Sequence, residues 1–406
     1  MCLQLFLWAA CSALTPPNTS LSTIPVAYFG GHKSPRGSGG RSPANLAMLS
    51  KMRIVMLEKW EGHCYDECFP FKNGSINPHC NPSCNVENEM LGTMTKVKAL
   101  NPSVTTVFYL NTLLLFPFYS LAGKYQQQNA LLIDSQTHLP VLLRNDESMP
   151  NIFVPDFGTK TGRALLLDTV EQMIKSGTVD GIFADKWPNG ANRLKNGSYL
   201  ICNHACGHLT QAKGDAWNAG KLAVRNALLA MLRVNATNSS APAPFGGLLY
   251  GDGCNGCDRR PWMDGNLIGP WHGFYKGSKW PAVAVWSLLE RVHAWLHIYD
   301  YSYIWLGCSD HMNKPPRKGQ PPDPDDLSTD CAPEALPLFL LVVEPGVFLG
   351  ANGWDPAFDR PLGHPHGPAQ NITDGQTVVG LTRSFTGGAR VVWNLTNASG
   401  TVQWPS

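Results

Sequence analysis

Charged residues are scarce in this chain. Asp, Glu, Lys and Arg make up only 15% of its 406 residues, and the formal net charge is +2. Proteins that hold nucleic acid through its phosphates concentrate Lys and Arg on one surface. The composition therefore excludes nucleic acid from the partners that we expect.

Long apolar runs and several catalytic motifs are also missing. Residues 336–349 come nearest to a membrane helix, but Glu344 and Pro345 interrupt them. Such a helix needs roughly 20 apolar residues, so we expect no membrane insertion. The sequence has no glycine-rich phosphate loop, no G-x-S-x-G elbow and no H-E-x-x-H motif. These absences oppose nucleotide-dependent, serine-esterase and metalloprotease functions, and we expect neither a cofactor nor a metal.

The N-terminus resembles a secretory leader. An apolar run at residues 3–10 is followed by Cys11-Ser12-Ala13, a small-residue ending typical of a signal-peptidase site. No basic residue precedes the run. We predict a signal peptide over residues 1–13. Glycosylation sequons of the form N-x-[ST] fit the same route, at Asn18, Asn73, Asn196, Asn235, Asn238, Asn371, Asn394 and Asn397. We therefore expect a secreted protein or one of the endomembrane lumen.

Cysteine usage agrees with that compartment. Ten cysteines lie beyond the predicted leader, and eight of them form close pairs: Cys64/Cys68, Cys80/Cys84, Cys202/Cys206 and Cys254/Cys257. These spacings, with histidines nearby, also fit zinc ligands. An even number of cysteines behind a leader favours disulfides, which we predict here without assigning their partners.

Glycine, proline and tryptophan are abundant, at 39, 32 and 13 residues. This mixture suits a fold with many loops and aromatic surfaces. Between the loops, short apolar runs alternate with helical segments, which is the rhythm of a parallel sheet. The predicted strands are 24–30, 53–58, 104–111, 178–185, 246–253, 266–269, 301–306 and 346–349. The predicted helices are 44–51, 88–100, 161–176, 216–234, 282–297 and 333–342.

This pattern predicts an α/β fold, a (β/α)8 TIM barrel over residues 24–373. The helix 161–176 is closed by Gly177 and leads directly into a strand, which is the strongest local sign of the barrel. From residue 374 the strands are no longer separated by helices. We predict that residues 374–406 form a small antiparallel β segment packed on the barrel.

Several predicted strands end in a carboxylate. In a parallel α/β barrel the C-terminal strand ends converge on the pocket, so these side chains are candidate catalytic groups. We assign Asp185 as nucleophile or base, with Asp252 first and Glu58 second as proton donor. Asp264 and Glu344 rank behind them. Each of these residues also fits a structural role as a helix cap, turn residue or ion-pair partner.

Aromatic and polar side chains near the strand ends are candidate substrate contacts. An indole ring can stack on a sugar, and amide, phenol and imidazole groups can hydrogen-bond to its hydroxyls. The alternative for each is ordinary packing. The candidates are Trp60, Trp187, Trp262, Trp271, His272, Tyr28 and Asn111.

Two motifs resemble glycoside-hydrolase-like TIM-barrel families. One is D-G-I-F-A-D at residues 180–185, and the other is R-S-F-T-G-G-A-R-V-V-W-N at 383–394. The resemblance implies cleavage of glycosidic bonds in a poly- or oligosaccharide by two carboxylates. Relatives often carry a Glu at the tip of the strand that comes after the fifth, whereas this chain reads N-L-I-G-P-W-H at 266–272. The alternatives are therefore a carbohydrate-binding barrel without activity and a polysaccharide lyase. The sequence does not predict the oligomeric state.

Overall fold

The computed structural model describes residues 18–31, 40–64, 85–146, 149–186, 191–202, 205–234, 248–252, 265–268, 301–304, 335–351, 353–397 and 399–405. These residues belong to two compact units. The first lies within His63–Thr95 and Thr106–Leu248, and the second within Pro17–Gly62, Lys96–Thr105 and Leu249–Ser406. Among the described residues, no helix combines the length and apolar character needed to span a membrane.

The described elements are numbered along the chain. The strands are β1 (Val26–Gly30), β2 (Ile54–Leu57), β3 (Thr105–Asn111), β4 (Leu142–Asp146), β5 (Met149–Phe153), β6 (Gly181–Asp185), β7 (Asn192–Arg193), β8 (Tyr199–Cys202), β9 (Cys206–Leu209), β10 (Leu248–Asp252), β11 (Gly265–Ile268), β12 (Tyr301–Ile304), β13 (Val347–Gly350), β14 (Gln370–Asp374), β15 (Thr377–Ser384), β16 (Arg390–Asn394) and β17 (Ser399–Gln403). The helices are α1 (Pro43–Leu49), α2 (Val86–Leu100), α3 (Ser120–Gln127), α4 (Lys160–Lys175), α5 (Gln211–Val234) and α6 (Ala335–Val342).

The second unit contains a parallel half-barrel sheet. Its strands pair in the order β2-β1-β13-β12-β11-β10, and every pair is parallel. The strands β2 and β13 are buried along their whole length, as expected for parallel strands covered on both faces. The prediction of a mixed α/β fold with parallel strands is therefore confirmed. The predicted helix 282–297 lies outside the described residues.

The first unit is built on the parallel pair β3 and β6. The helix α4 precedes β6, begins at a Thr159 side chain that accepts the N–H of Gly162, and is followed by Gly177 at φ +72°. Only glycine adopts that angle without strain, which agrees with the predicted helix end. At the start of the two strands, the buried Asp180 carboxylate accepts the N–H of Thr106 at 2.8 Å.

Two small sheets follow these strands along the chain. The β4–β5 hairpin comes after β3 and α3, and the three-stranded sheet β7–β8–β9 comes after β6. A backbone bond from Ala205 N–H to the carbonyl oxygen of Leu143, 2.8 Å long, joins them. Cys202 and Cys206 lie opposite each other in β8 and β9 and form a disulfide. The disulfide prediction is confirmed for this pair.

The buried carboxylate of Asp134 organises the turn before β4. It accepts the backbone N–H groups of Gln136 at 2.7 Å, Thr137 at 2.8 Å and His208 at 2.6 Å. Burial raises the pKa of this carboxyl, but the three N–H groups outweigh it and lower the pKa to about 2. Asp134 therefore stays ionised at neutral pH and ties its own turn to β9.

A four-stranded antiparallel sheet, in the order β14-β15-β16-β17, occupies the C-terminal part of the second unit. Its first strand begins at Gln370, four residues before the predicted boundary at 374. The strands β15, β16 and β17 contact α6. Trp393 is fully buried there, and a Cβ at Gly400 would lie 2.5 Å from its ring. Glycine is thus required where β17 crosses the indole.

Arg383 joins this sheet to the end of α6. The side chain is 4% exposed, and its Nη1 donates to the carbonyl oxygens of Leu341 at 3.0 Å and Val343 at 2.8 Å. Its Nε donates to the carbonyl oxygen of Gly367 at 2.8 Å, and its Nη2 pairs with Glu344. The last carbonyls of a helix have no partner within the helix, so Arg383 supplies the missing donors.

We predict that Arg383→Ala lowers the free energy of unfolding by about 2–4 kcal/mol, because helix carbonyls and the Glu344 carboxylate lose their donor. Arg390→Ala is the matched control, since Arg390 lies on the neighbouring strand and is exposed. Its effect should stay within about 0.5 kcal/mol. Urea unfolding of the full chain, followed by circular dichroism, measures both. Equal losses in the two variants would show that Arg383 does not anchor the sheet.

Candidate active site

Asp185 is the last residue of β6 and is half-buried, whereas the rest of the strand is fully buried. In the register of the parallel pair, Asn111 at the end of β3 lies directly beside it. Tyr109 precedes Asn111 by two residues, so it points to the same face of the strand. The pairing therefore brings a phenol and an amide to one carboxylate.

The Asp185 carboxylate accepts three hydrogen bonds. The Tyr109 hydroxyl donates to Oδ2, Asn111 Nδ2 donates to the same oxygen at 2.8 Å, and the backbone N–H of Lys186 donates to Oδ1 at 2.8 Å. Hydrogen bonds of this kind fix the orientation of a carboxylate. The arrangement suits a carboxylate that acts as a nucleophile or base.

Asn111 is engaged by the protein at both ends of its amide. Besides Asp185, its Nδ2 contacts the Tyr109 hydroxyl at 3.2 Å. Its Oδ1 accepts the backbone N–H groups of Leu113 at 3.0 Å and Leu114 at 2.7 Å. An asparagine side chain has two donor and two acceptor positions. In Asn111, which is only 5% exposed, the amide nitrogen and the amide oxygen both bond to other groups of the protein. The structure thus places Asn111 as a support for Asp185; substrate contact stays a prediction.

The backbone that follows Asp185 is also fixed. Thr112 donates its N–H at 3.0 Å and its hydroxyl at 2.8 Å to the carbonyl oxygen of Asp185. Lys186 has φ +57°, and its carbonyl oxygen accepts Lys221 Nζ at 3.1 Å. Behind the carboxylate, the rings of Tyr109 and Phe183 stack with centroids 5.8 Å apart.

In the second unit, Glu58 directly follows β2 and is held by its two neighbours along the chain. The Trp60 indole N–H donates to Oε2, and Lys59 Nζ lies 3.5 Å from Oε1. The Lys59 ammonium also sits 4.3 Å from the centroid of the Trp60 ring. A cation and an N–H donor both favour the charged form of a carboxyl group. Lys59 covers one face of the indole that was predicted to stack on a sugar.

Tyr28, on β1, belongs to a buried network. Arg41 donates to the Tyr28 hydroxyl at 2.9 Å and binds both oxygens of Glu61 at 2.8 Å. Burial raises the pKa of Tyr28, which keeps the phenol neutral. Burial lowers the pKa of Arg41, but Glu61 and Tyr28 raise it further, so the guanidinium stays charged. Tyr28 is 5% exposed, and the structure shows it as part of this network.

The remaining predicted residues are placed only partly. Asp252 ends β10, as predicted, and Glu344 pairs with Arg383. The other predicted site residues lie outside the described residues: Trp187, Trp262, Trp271, His272 and Asp264.

One cluster resembles a metal site. Ligand atoms of His63, Cys64 and Glu89 lie within 4.8 Å of one another. Cys64 is disulfide-bonded, so it offers no thiolate, and His63 Nδ1 pairs with Glu89. Metal-bound cysteine must be a thiolate, and these donors therefore do not fit a zinc site.

The site residues predicted from the sequence do not include Tyr109, Lys186 or Lys221. Tyr109 carried a usable signal, because a residue two positions before a polar strand end shares its face. Lys221 carried none, since it is a lysine on an amphipathic helix, where lysines usually face solvent.

No protein-family model matches the chain. No curated protein matches it either. Among solved structures it is similar to a GH36 α-galactosidase from Geobacillus stearothermophilus, at 10% identity and a TM-score of 0.43, covering 92% of this chain and 47% of that one. It is also similar to a maltogenic α-amylase from Thermotoga neapolitana, at 12% identity and a TM-score of 0.46, covering 93% and 86%.

A further similar structure is the glycoside hydrolase domain of PelA from Pseudomonas aeruginosa, at 13% identity and a TM-score of 0.35, covering 83% of this chain and 96% of that domain. The chain spans less than half of the α-galactosidase. These structural neighbours are glycoside hydrolases, as the motifs of the sequence suggested. At such low identities and scores they say nothing about the activity of this chain.

We predict that Asn111→Asp makes stability depend on pH. The new carboxyl would lie against Asp185, and two carboxylates at hydrogen-bond distance cannot both ionise, so one pKa rises. A raised folded-state pKa means that stability is retained at about pH 4 and lost as the pH rises towards 8. Each unit of pKa shift corresponds to about 1.4 kcal/mol.

Thermal unfolding of the variant across this pH range measures the effect. Asn226→Asp is the control, because Asn226 is an exposed residue of α5. A loss in Asn111→Asp that is the same at every pH would contradict the contact with Asp185.

Proposed function

We propose that this chain is a glycoside hydrolase that cleaves a poly- or oligosaccharide, with Asp185 as nucleophile or base. The observation that carries the proposal is the carboxylate at the end of β6, half-buried and bound by Tyr109, Asn111 and the Lys186 N–H. Glycosidases commonly need one carboxylate that stays ionised and one carboxylic acid that gives up a proton. Three donors hold Asp185 in a fixed orientation, which a nucleophile or base requires.

The proton donor is assigned by its surroundings. We propose Asp252, which ends β10, as the first choice. Glu58 is second, because Lys59 and Trp60 favour its charged form and a donor must be protonated. Two catalytic carboxyl groups about 5–5.5 Å apart would retain the configuration of the sugar at the cleaved bond, and two that are roughly 6.5–9.5 Å apart would invert it.

The proposal includes the complete barrel. Eight parallel strands, β1, β2, β3, β6, β10, β11, β12 and β13, are the number that a (β/α)8 barrel requires. We propose that these strands form one barrel. Residues 374–406 are proposed as the accessory β segment, which begins with β14 at Gln370.

A carbohydrate-binding barrel without activity is the second candidate. It is favoured by β11, which ends in Ile268 where related sequences often carry a Glu. The lyase alternative is weaker. A tyrosine base would have to ionise beside a carboxylate, and the Tyr109 hydroxyl donates a hydrogen bond to Asp185.

We predict that Asp185→Asn lowers kcat on the substrate found in a glycan screen by about 10³-fold or more, because the amide is neither nucleophile nor base. The amide fills the same space, so the fold should survive. Asp168→Asn is the matched control, since Asp168 is an exposed carboxylate of α4. Full turnover by Asp185→Asn would refute the assignment. Binding without turnover in the wild type and in both variants would select the second candidate.

We also propose that the protein is secreted and N-glycosylated. The sequon asparagines among the described residues are exposed: Asn18, Asn196, Asn371, Asn394 and Asn397. At Asn196, in the turn between β7 and β8, the Ser198 hydroxyl donates to Oδ1 at 2.7 Å. An exposed turn gives a glycan space without disturbing the sheet.

We predict that protein secreted from a eukaryotic host loses mass on treatment with peptide N-glycosidase. Asn196→Gln should remove one glycan from the intact mass, while Asn192→Gln, at an exposed asparagine outside any sequon, should remove none. Unmodified Asn196 in secreted protein would contradict the proposal.

A further inference from the structure

Lys221 is a buried lysine on α5. The residue is 6% exposed, and its Nζ donates to the carbonyl oxygen of Lys186 at 3.1 Å. The ammonium lies 5.2 Å from the centroid of the Trp217 ring, which is fully buried. Trp217 is itself fixed by a 2.8 Å bond from Nε1 to the carbonyl oxygen of Pro155. Burial of a charged amine is costly unless it is compensated, so a lysine here points to a specific role.

The partner of Lys221 has an unusual backbone. Lys186 has φ +57°, in the left-handed region that residues with a Cβ rarely adopt. Such a conformation persists only where surrounding contacts hold it, and it often occurs at functional sites. Here the residue directly follows Asp185, and its N–H binds Asp185 Oδ1 at 2.8 Å.

The two peptide groups on either side of the Lys186 Cα are therefore both held. From β3, Thr112 donates two bonds to the Asp185 carbonyl oxygen, at 3.0 and 2.8 Å. From α5, Lys221 holds the carbonyl oxygen of Lys186, in the next peptide. Because β6 and β7 fix the chain before and after this segment, relaxation of Lys186 out of the left-handed region would require the peptide between Asp185 and Lys186 to counter-rotate. That rotation would turn the Lys186 N–H away from Oδ1, and one of the three bonds that orient the carboxylate would be lost.

We propose that Lys221 is a positioning residue for Asp185, acting through the left-handed conformation of Lys186. The inference rests on the proposed function, in which the Asp185 carboxylate reacts. A lysine that only anchored α5 would contribute to stability and leave the carboxylate where it is. The two roles differ in what a substitution does to turnover by folded protein.

The test compares Lys221→Met with Lys213→Met. Methionine keeps the apolar stem of lysine and removes the donor. Lys213 is the matched control, because it lies on the same helix and also donates to a carbonyl oxygen, that of Ile133 at 3.2 Å, but is exposed. We expect Lys221→Met to lower kcat by about 10- to 100-fold, because small displacements of a reacting group are costly, with KM nearly unchanged. Lys213→Met should keep both constants.

A rescue variant separates positioning from folding. Glycine adopts φ near +57° without strain, so Lys186→Gly added to Lys221→Met should restore a large part of kcat. Lys221→Gln gives the same comparison if the methionine variant does not fold. Wild-type kcat in folded Lys221→Met or Lys221→Gln, with only a lower melting temperature, would overturn the proposal. Absence of rescue by Lys186→Gly would overturn it as well.

A second readout does not depend on glycosidase activity. In amide hydrogen exchange followed by NMR, loss of the Lys186 N–H bond should speed exchange of the Lys186 amide by about 10-fold or more, relative to the amides of β3, in Lys221→Met and not in Lys213→Met. If the wild type cleaves no glycoside but this exchange rate rises, the proposed function fails and the positioning role stands. An unchanged exchange rate overturns the positioning role whatever the activity.

Discussion

The register between β3 and β6 is the constraint on which the candidate site depends. It places Asn111 beside Asp185, and the alternation of side chains along a strand adds Tyr109 on the same face. A slip of one residue would turn both partners to the opposite face. The register is fixed at the other end by Asp180, whose carboxylate binds the N–H of Thr106. The buried Asp180 carboxylate at the start of the strands thus fixes the register that places Asn111 beside Asp185 at their ends.

In the second unit, two buried arginines connect separate segments through hydrogen bonds. Arg41 connects the segment after β1 to Glu61, beyond β2, and Arg383 connects β15 to the end of α6. Each guanidinium is surrounded by acceptors, so the cost of burying its charge is offset by short bonds in a planar arrangement. The segments that follow β1 and β2 are therefore tied together by Arg41 and Glu61. Support of this kind explains how a fold with so many loops keeps its strand ends in place.

The sequence predicted the parallel strands well, because short apolar runs that alternate with helical segments follow simple periodicity. It also predicted that Asp185 ends β6. The partners of Asp185 were harder, since Tyr109 and Lys221 come from other elements and meet it only through register and helix packing. The sheet β7–β8–β9 is missing from the predicted strands. Its strands are only two to four residues long, and they are held by pairing and by the Cys202–Cys206 disulfide, neither of which leaves a period in the sequence.

The first unit has two parts that we expect to differ in their tolerance to amino-acid substitution: the strands β3 and β6 with α5, and the two small sheets. The residues that orient Asp185 lie on β3, β6 and α5, where register and burial leave little freedom. The β4–β5 hairpin and the β7–β8–β9 sheet are joined to each other and through Asp134, and the second sheet also contacts α5. We therefore expect substitutions on the exposed faces of these sheets to leave the contacts of Asp185 in place. In evolutionary terms, those faces are free to vary one residue at a time, whereas Tyr109, Asn111 and Asp185 constrain one another and should change only together.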